Sequence, residues 1–223
     1  MKNLRLPSCI ATVLWIQFSA VADLTVKITD KEPPKELAGS IRQTLESKAV
    51  QVLEGEKPAF EFWFVKEIPL KTKPASLAKA LDSLEPAGLL GAVSVSSARR
   101  DYRDDELPAG VYTMRFALQP QDGDHSGSTD YTYFAVLVAA KLDTAPDALT
   151  TYKAVVKASA KGASTEHPHV MSLRPASSDA GDQPQIKEPK PEHKSVLLKL
   201  PARAGSEQTG LAFELVCEGH IKK

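Results

Sequence analysis

The chain has 223 residues, 42% of them hydrophobic and 25% charged, with 28 basic and 28 acidic side chains. That is enough apolar material for one sizeable core, and it excludes an extensively disordered chain. The balanced charge leaves no electrostatic footprint for nucleic acid or an anionic membrane surface.

The first 22 residues read as a secretory signal. Lys2 and Arg5 precede an apolar run over 10–18, and Ala20-Val21-Ala22 supplies the small residues that a signal peptidase needs. The run is too short to span a bilayer, and Cys9 lies ahead of it, not at its end where lipid attachment would occur. The expected product begins at Asp23, is periplasmic or extracellular and has no membrane span. It keeps 26 basic against 28 acidic residues, a formal charge of −2, and a single cysteine, Cys217, so no intramolecular disulfide forms.

In the mature part, 24–29 alternates cleanly and predicts a strand with Leu24, Val26 and Ile28 inward, stopped by Pro33 and Pro34. Leu37, Ile41 and Leu45 recur every four residues and predict an amphipathic helix over 35–47. A short strand around Val50 and Val52, a turn at 55–58 and an aromatic strand over 60–65 form a hairpin. A helix over 76–84 carries Leu77, Ala80, Leu81 and Leu84 inward, and 90–95 is extended. The charged stretch 99–106 reads as a solvated loop of mutually neutralised Arg and Asp.

Residues 111–118 alternate again, with Tyr112, Met114, Phe116 and Leu118 on one face and Thr113, Arg115 and Ala117 on the other. A Gly/Asp-rich loop over 119–130 follows, then a strand over 131–139. Thr144-Ala145-Pro146-Asp147 resembles a helix start, giving a helix to about residue 160. A short strand at 169–173, a Pro-rich surface loop over 175–193 and strands at 195–200 and 211–218 complete the chain. About nine strands, mostly without helical crossovers, and two or three helices predict a mainly β fold: an antiparallel β-sandwich decorated by helices, one domain over 23–223.

Chemistry is sparse. There is no nucleophile elbow, no phosphate-binding glycine loop, no dinucleotide fingerprint, no His-Glu-x-x-His and no paired Cys-x-x-Cys. The loop from Asp122 through Asp124 and His125 to Asp130 opens like a calcium loop, with oxygens at alternate positions and Gly127 sixth, but its twelfth position is Tyr133 where a bidentate Glu is needed. His167 and His169 would project to one side of a strand, as metal-binding pairs do, and with His125 they offer three nitrogens. Pro168 between them argues for irregular backbone. Asp122, Asp124, His125, His167 and His169 are therefore the candidate metal ligands, for calcium or a transition metal, while the leading expectation is no cofactor. Cys217 shares a strand face with Leu211, Phe213 and Leu215 and reads as a buried, inert thiol. Phe60, Phe62 and Phe64 read as core, with a sugar-stacking platform as the alternative. His193 and His220 read as surface residues.

The stretch LPAGVYTMRFALQPQDGDHSG (107–127), with WFVKEIPL (63–70) before it and HPHV (167–170) after it, resembles a family of exported bacterial proteins of unknown function, departing from that pattern at Ser126, where Met is expected. The turn and strand LPAGVYT is more distantly similar to the small sandwich modules beside carboxypeptidases and to transthyretin-like domains. The resemblance implies export and brings no site residues. The sequence thus reads as an exported, non-catalytic binding or structural module with a protein or carbohydrate ligand. A metal-binding protein or metal-dependent enzyme using the 122–130 loop and the histidines is the second reading.

Overall fold

The computed structural model describes residues 23–120, 131–163, 167–178 and 180–221. Its strands are β1 (Leu24–Asp30), β2 (Lys48–Glu54), β3 (Lys57–Phe64), β4 (Ile68–Leu70), β5 (Leu89–Val95), β6 (Arg99–Arg100), β7 (Glu106–Leu107), β8 (Gly110–Leu118), β9 (Tyr133–Ala139), β10 (His169–Pro175), β11 (Gln185–Lys190), β12 (His193–Ala204) and β13 (Glu207–Glu218). Two α-helices, α1 (Gly39–Thr44) and α2 (Tyr152–Ala163), and 3-10 helices over Leu77–Ser83 and Ala140–Leu142 accompany them. The protein is mainly β with added helices, as expected.

The expected two-layer sandwich is not what forms. One continuous sheet runs β1-β2-β3-β5-β8-β9-β10-β13-β12-β11, antiparallel throughout, and β4 adds a parallel pairing to β12. The sheet curls into a half-barrel. Phe64 on β3 meets Phe213 on β13 edge-on at 6.4 Å, although four strands separate them in the sheet. Five strand spacings of about 4.8 Å would hold them roughly 24 Å apart if the sheet were flat. Register shifts help it bend, notably between Leu89 and Gly91, where β5 approaches β3 so closely that a Cβ on Gly91 would lie 2.4 Å from the Trp63 carbonyl oxygen. The edge strands β1 and β11 have Cα atoms within 8 Å of each other.

Curling gives the sheet an interior, filled by the Phe60–Phe62–Phe64 stack, Tyr112, Met114, Phe116, Leu137, Leu198, Phe213 and Leu215 in one buried cluster. The aromatic stripe on β3 is therefore core, and the alternating face of β8 packs with that of β13. Leu118, at the end of β8, and Ile28, on the β1 edge, depart from the expected inward set: they are 44% and 39% exposed.

The middle of the sheet is also covered outside. Phe134, Val136 and Val138 of β9, Val170 of β10 and Val216 of β13 form a second cluster with Val155 of α2. Burial on both faces explains why β9 reads as a continuous apolar run and not as an alternation.

Several elements differ from expectation for physical reasons. The predicted helix over 35–47 shrinks to the six residues of α1, because Leu45 turns extended and bridges to Val65; Leu37, Ile41 and Leu45 are buried nonetheless. The segment over 76–84 is a 3-10 helix. The predicted surface loop 175–193 contains β11, an edge strand whose Pro189 and lysines hide it from a hydrophobicity reading. Residues 99–107 are a two-stranded hairpin (β6 and β7) with Asp101, Tyr102 and Leu107 buried, not a solvated loop.

Candidate functional site

The side chain that organises the outer face is Arg115, 1% exposed on the face of β8 that points away from the interior. Its Nε donates to Asp143 Oδ2 at 2.7 Å and its Nη2 to Asp143 Oδ1 at 2.8 Å, a two-pronged pairing with a carboxylate that is fully buried. Nη1 donates to the carbonyls of Ala87, Pro146 and Leu149, and Nη2 also to that of Ala145. Thr113 Oγ1 donates to Asp143 Oδ2 at 2.6 Å.

This cluster explains why α2 begins at Tyr152 and not near Thr144. The carbonyls of Ala145, Pro146 and Leu149 accept from Arg115, that of Ala145 also closing a single turn with the Ala148 N–H at 3.1 Å, and the chain crosses the outer face as an irregular strap. The helix starts where Thr151 can cap it, its Oγ1 accepting from the Ala154 N–H at 3.2 Å. Ser159 then anchors the far end, donating to the Leu137 carbonyl and accepting from the His169 N–H.

A second buried acid shapes the neighbouring hairpin. Asp101 Oδ1 accepts from the main-chain N–H groups of Arg103 at 2.8 Å and Asp105 at 3.0 Å, and Oδ2 accepts from the Val170 N–H at 3.0 Å. Asp104 occupies left-handed backbone, φ 67°, inside this turn. The hairpin is thereby fixed to the start of β10, with Tyr102 packed on Phe134 and Arg103 directed along the outer face. The Ile221 N–H donates to the Tyr102 carbonyl and brings the C-terminal segment alongside.

Between these anchors lies a cavity of about 260 Å³. Ala117, Phe134, Val136 and Val170 line it from the sheet, and Tyr152 and Val156 from α2. Leu118, Gln119 and Pro120 border it from the end of β8, while Arg103, His167, Pro168 and Ile221 border it from the other loops. Three large hydrophobic residues are exposed among the described residues, and two of them, Leu118 at 44% and Tyr152 at 39%, belong to this groove. Because the sequence places Arg115 on what looks like a polar outer face and starts the helix too early, the groove was not visible in it. An aromatic residue at the first turn of an otherwise small and polar helix, Tyr152, is the signal that could have found it.

The sequence-derived metal candidates are divided. Asp122, Asp124 and His125 lie outside the described residues. His167 precedes β10, is exposed and borders the groove. His169, the first residue of β10, is buried on the interior face, edge-on to Tyr112 at 6.5 Å, with Nδ1 3.5 Å from Asp101 Oδ2. The two imidazoles thus do not share a side, since Pro168 ends the irregular approach and the strand alternation begins only at His169. Leu118 pairs with Tyr133 at the root of the 119–132 connection, and Tyr133 pairs with Leu173, four residues or roughly 13 Å along β10 from His169. Among the described residues no group of three or more His, Cys, Asp or Glu side chains is placed to hold a metal ion.

His193 is buried against Tyr102 instead of lying on the surface, whereas His220 is exposed. Cys217 is buried in the interior, and desolvation drives its thiol far above the ordinary range, so no thiolate forms at neutral pH. Tyr133 is pushed up to about 12 by burial and by the Asp82 carboxylate that accepts its hydroxyl at 2.6 Å. No helix among the described residues is long and apolar enough to cross a membrane. No protein-family model, curated protein or solved structure matches this chain.

Proposed function

We propose that the mature chain is an exported, non-catalytic binding module, acting in the periplasm or outside the cell, whose ligand occupies the groove between α2 and the outer face of β8, β9 and β10. The observation that carries this reading is the placing of Leu118 and Tyr152, two exposed large apolar side chains, around one cavity with an apolar floor. Clustered apolar exposure beside a concavity is the usual mark of a binding surface. The signal-like residues 1–22 support export, and β1 starts one residue past the expected cleavage point.

A 150 Å³ apolar cavity accommodates a six-carbon ring, so about 260 Å³ takes on the order of ten heavy atoms. At roughly 0.5 kcal/mol per atom the affinity is about −5 kcal/mol, a Kd near 0.2 mM. The test is titration with the neutral, polarity-sensitive fluorophore N-phenyl-1-naphthylamine, whose naphthyl ring of about ten carbons is the part that fits the cavity, the phenyl ring lying over its open mouth. Saturable enhancement is expected in the wild type, with at least about tenfold weaker binding in Val156→Phe, whose ring takes up a large part of the cavity. Equal binding by both proteins would refute the groove as the site.

A further inference from the structure

Resting on that reading of the groove, we infer that its ligand is an amphiphilic anion: an apolar body of about ten heavy atoms carrying one carboxylate-like group held by Arg103.

The charge pattern of the lining points this way. Among the described residues the cavity is bordered by Arg103 and His167 and by no Asp or Glu. Arg103 is held in place by buried structure, because its main-chain N–H is fixed by Asp101 Oδ1 at 2.8 Å and the Asp101 side chain is itself fully buried. Its guanidinium commits one nitrogen, Nε, to Asp105 Oδ2 at 3.3 Å. That distance is longer than the roughly 2.7–2.9 Å of a strong charge-assisted bond, so the local acid engages one edge of the fork loosely. Nη1 and Nη2 meet no acceptor among the described residues. A guanidinium 28% exposed, with its terminal edge unengaged and an apolar floor beside it, suits a planar two-oxygen anion whose carbon body extends under Tyr152 and Val156. A cationic ligand would meet like charge, and a purely apolar one would desolvate the guanidinium without replacing its water hydrogen bonds.

Such an anion could be a fatty-acid chain released from lipid or a compact aromatic acid. The chemistry at Arg103 is shared, and the shape of the apolar body separates the two sources.

The test displaces N-phenyl-1-naphthylamine with octanoate, octanamide and octylammonium, which carry nearly the same number of heavy atoms and differ in charge. Octanoate is expected to displace the fluorophore at about tenfold lower concentration than octanamide, with octylammonium weakest. Arg103→Gln should bring the octanoate-to-octanamide ratio to about one, and Arg103→Lys should restore part of it. In the wild type the ratio should shrink as salt is raised, a readout that stands even where a variant folds poorly. Octanoate against 2-naphthoate separates the flexible from the aromatic source, and preference for either acid over its amide supports the inference. Fluorophore binding with equal displacement by octanoate and octanamide would overturn the inference while leaving the groove intact. Absence of saturable fluorophore binding would remove the groove reading itself.

Discussion

Replacing Arg115 by Met should be among the most damaging single changes available in this fold. The variant keeps the volume of the side chain but leaves the Asp143 carboxylate, which has no solvent contact, with Thr113 Oγ1 as its remaining donor from the cluster. Breaking a buried pair by removing one partner costs about 3 to 5 kcal/mol. For a domain of this size each kcal/mol lowers Tm by about 2 to 4 °C, so a fall of roughly 6 to 20 °C is expected in calorimetry. The double variant R115M/D143L removes the orphaned charge and should be more stable than R115M alone, with a coupling of about 1 to 3 kcal/mol. Because Arg115 holds the carbonyls of Ala145, Pro146 and Leu149, hydrogen exchange over 143–151 should rise before the rest of the sheet opens. A loss below about 1 kcal/mol in urea unfolding of R115M would mean that the strap is not anchored as described.

Phe116→Ala, at a position 1% exposed in the interior, should cost about 3 to 5 kcal/mol by chemical denaturation; a cost under 1 kcal/mol would place Phe116 outside the core. Gly91→Ala puts a methyl 2.4 Å from a backbone oxygen of β3, where nothing flexible can give way, and should lower stability by about 1 to 3 kcal/mol or more; a neutral result in a thermal melt would contradict the β3–β5 approach. Cys217 in the folded mature protein should resist a thiol-reactive chromophore at pH 8, and one thiol per chain should react after denaturation; rapid labelling of the native state would contradict its burial. Mass spectrometry of exported protein should give an N-terminus at Asp23, and an intact Met1 terminus would refute the signal reading.

The interior of the fold was legible because period-two alternation survives there. Phe60, Phe62 and Phe64, the Tyr112–Met114–Phe116 face and the Phe213–Leu215 face all announce themselves in the sequence and all meet in one cluster. What alternation cannot report is whether one sheet curls or two sheets stack, since both bury the same face; the decision rests on Gly91 and the register shifts. The outer groove was hidden for another reason. Arg115 and Asp143 look like surface charge until each is seen to be the partner of the other across 28 residues, and the strap that they build delays α2 past its apparent start. Likewise, β11 carries little hydrophobic signature and β4 is only the three residues Ile68–Leu70 with Pro69 in the middle, and both are strands through pairing with β12. The strand period assumed between His167 and His169 does not hold, because β10 begins at His169 and leaves His167 and Pro168 outside it.

The most direct test of the groove is methyl-labelled nuclear magnetic resonance of the mature protein, titrated with N-phenyl-1-naphthylamine. The account predicts shifts concentrated on Ala117, Val136, Val156, Val170 and Ile221, with Met114, Val93 and Leu215 of the curled interior unmoved. Shifts centred on the interior methyls, or scattered over the surface without the Val156–Ile221 set, would contradict it.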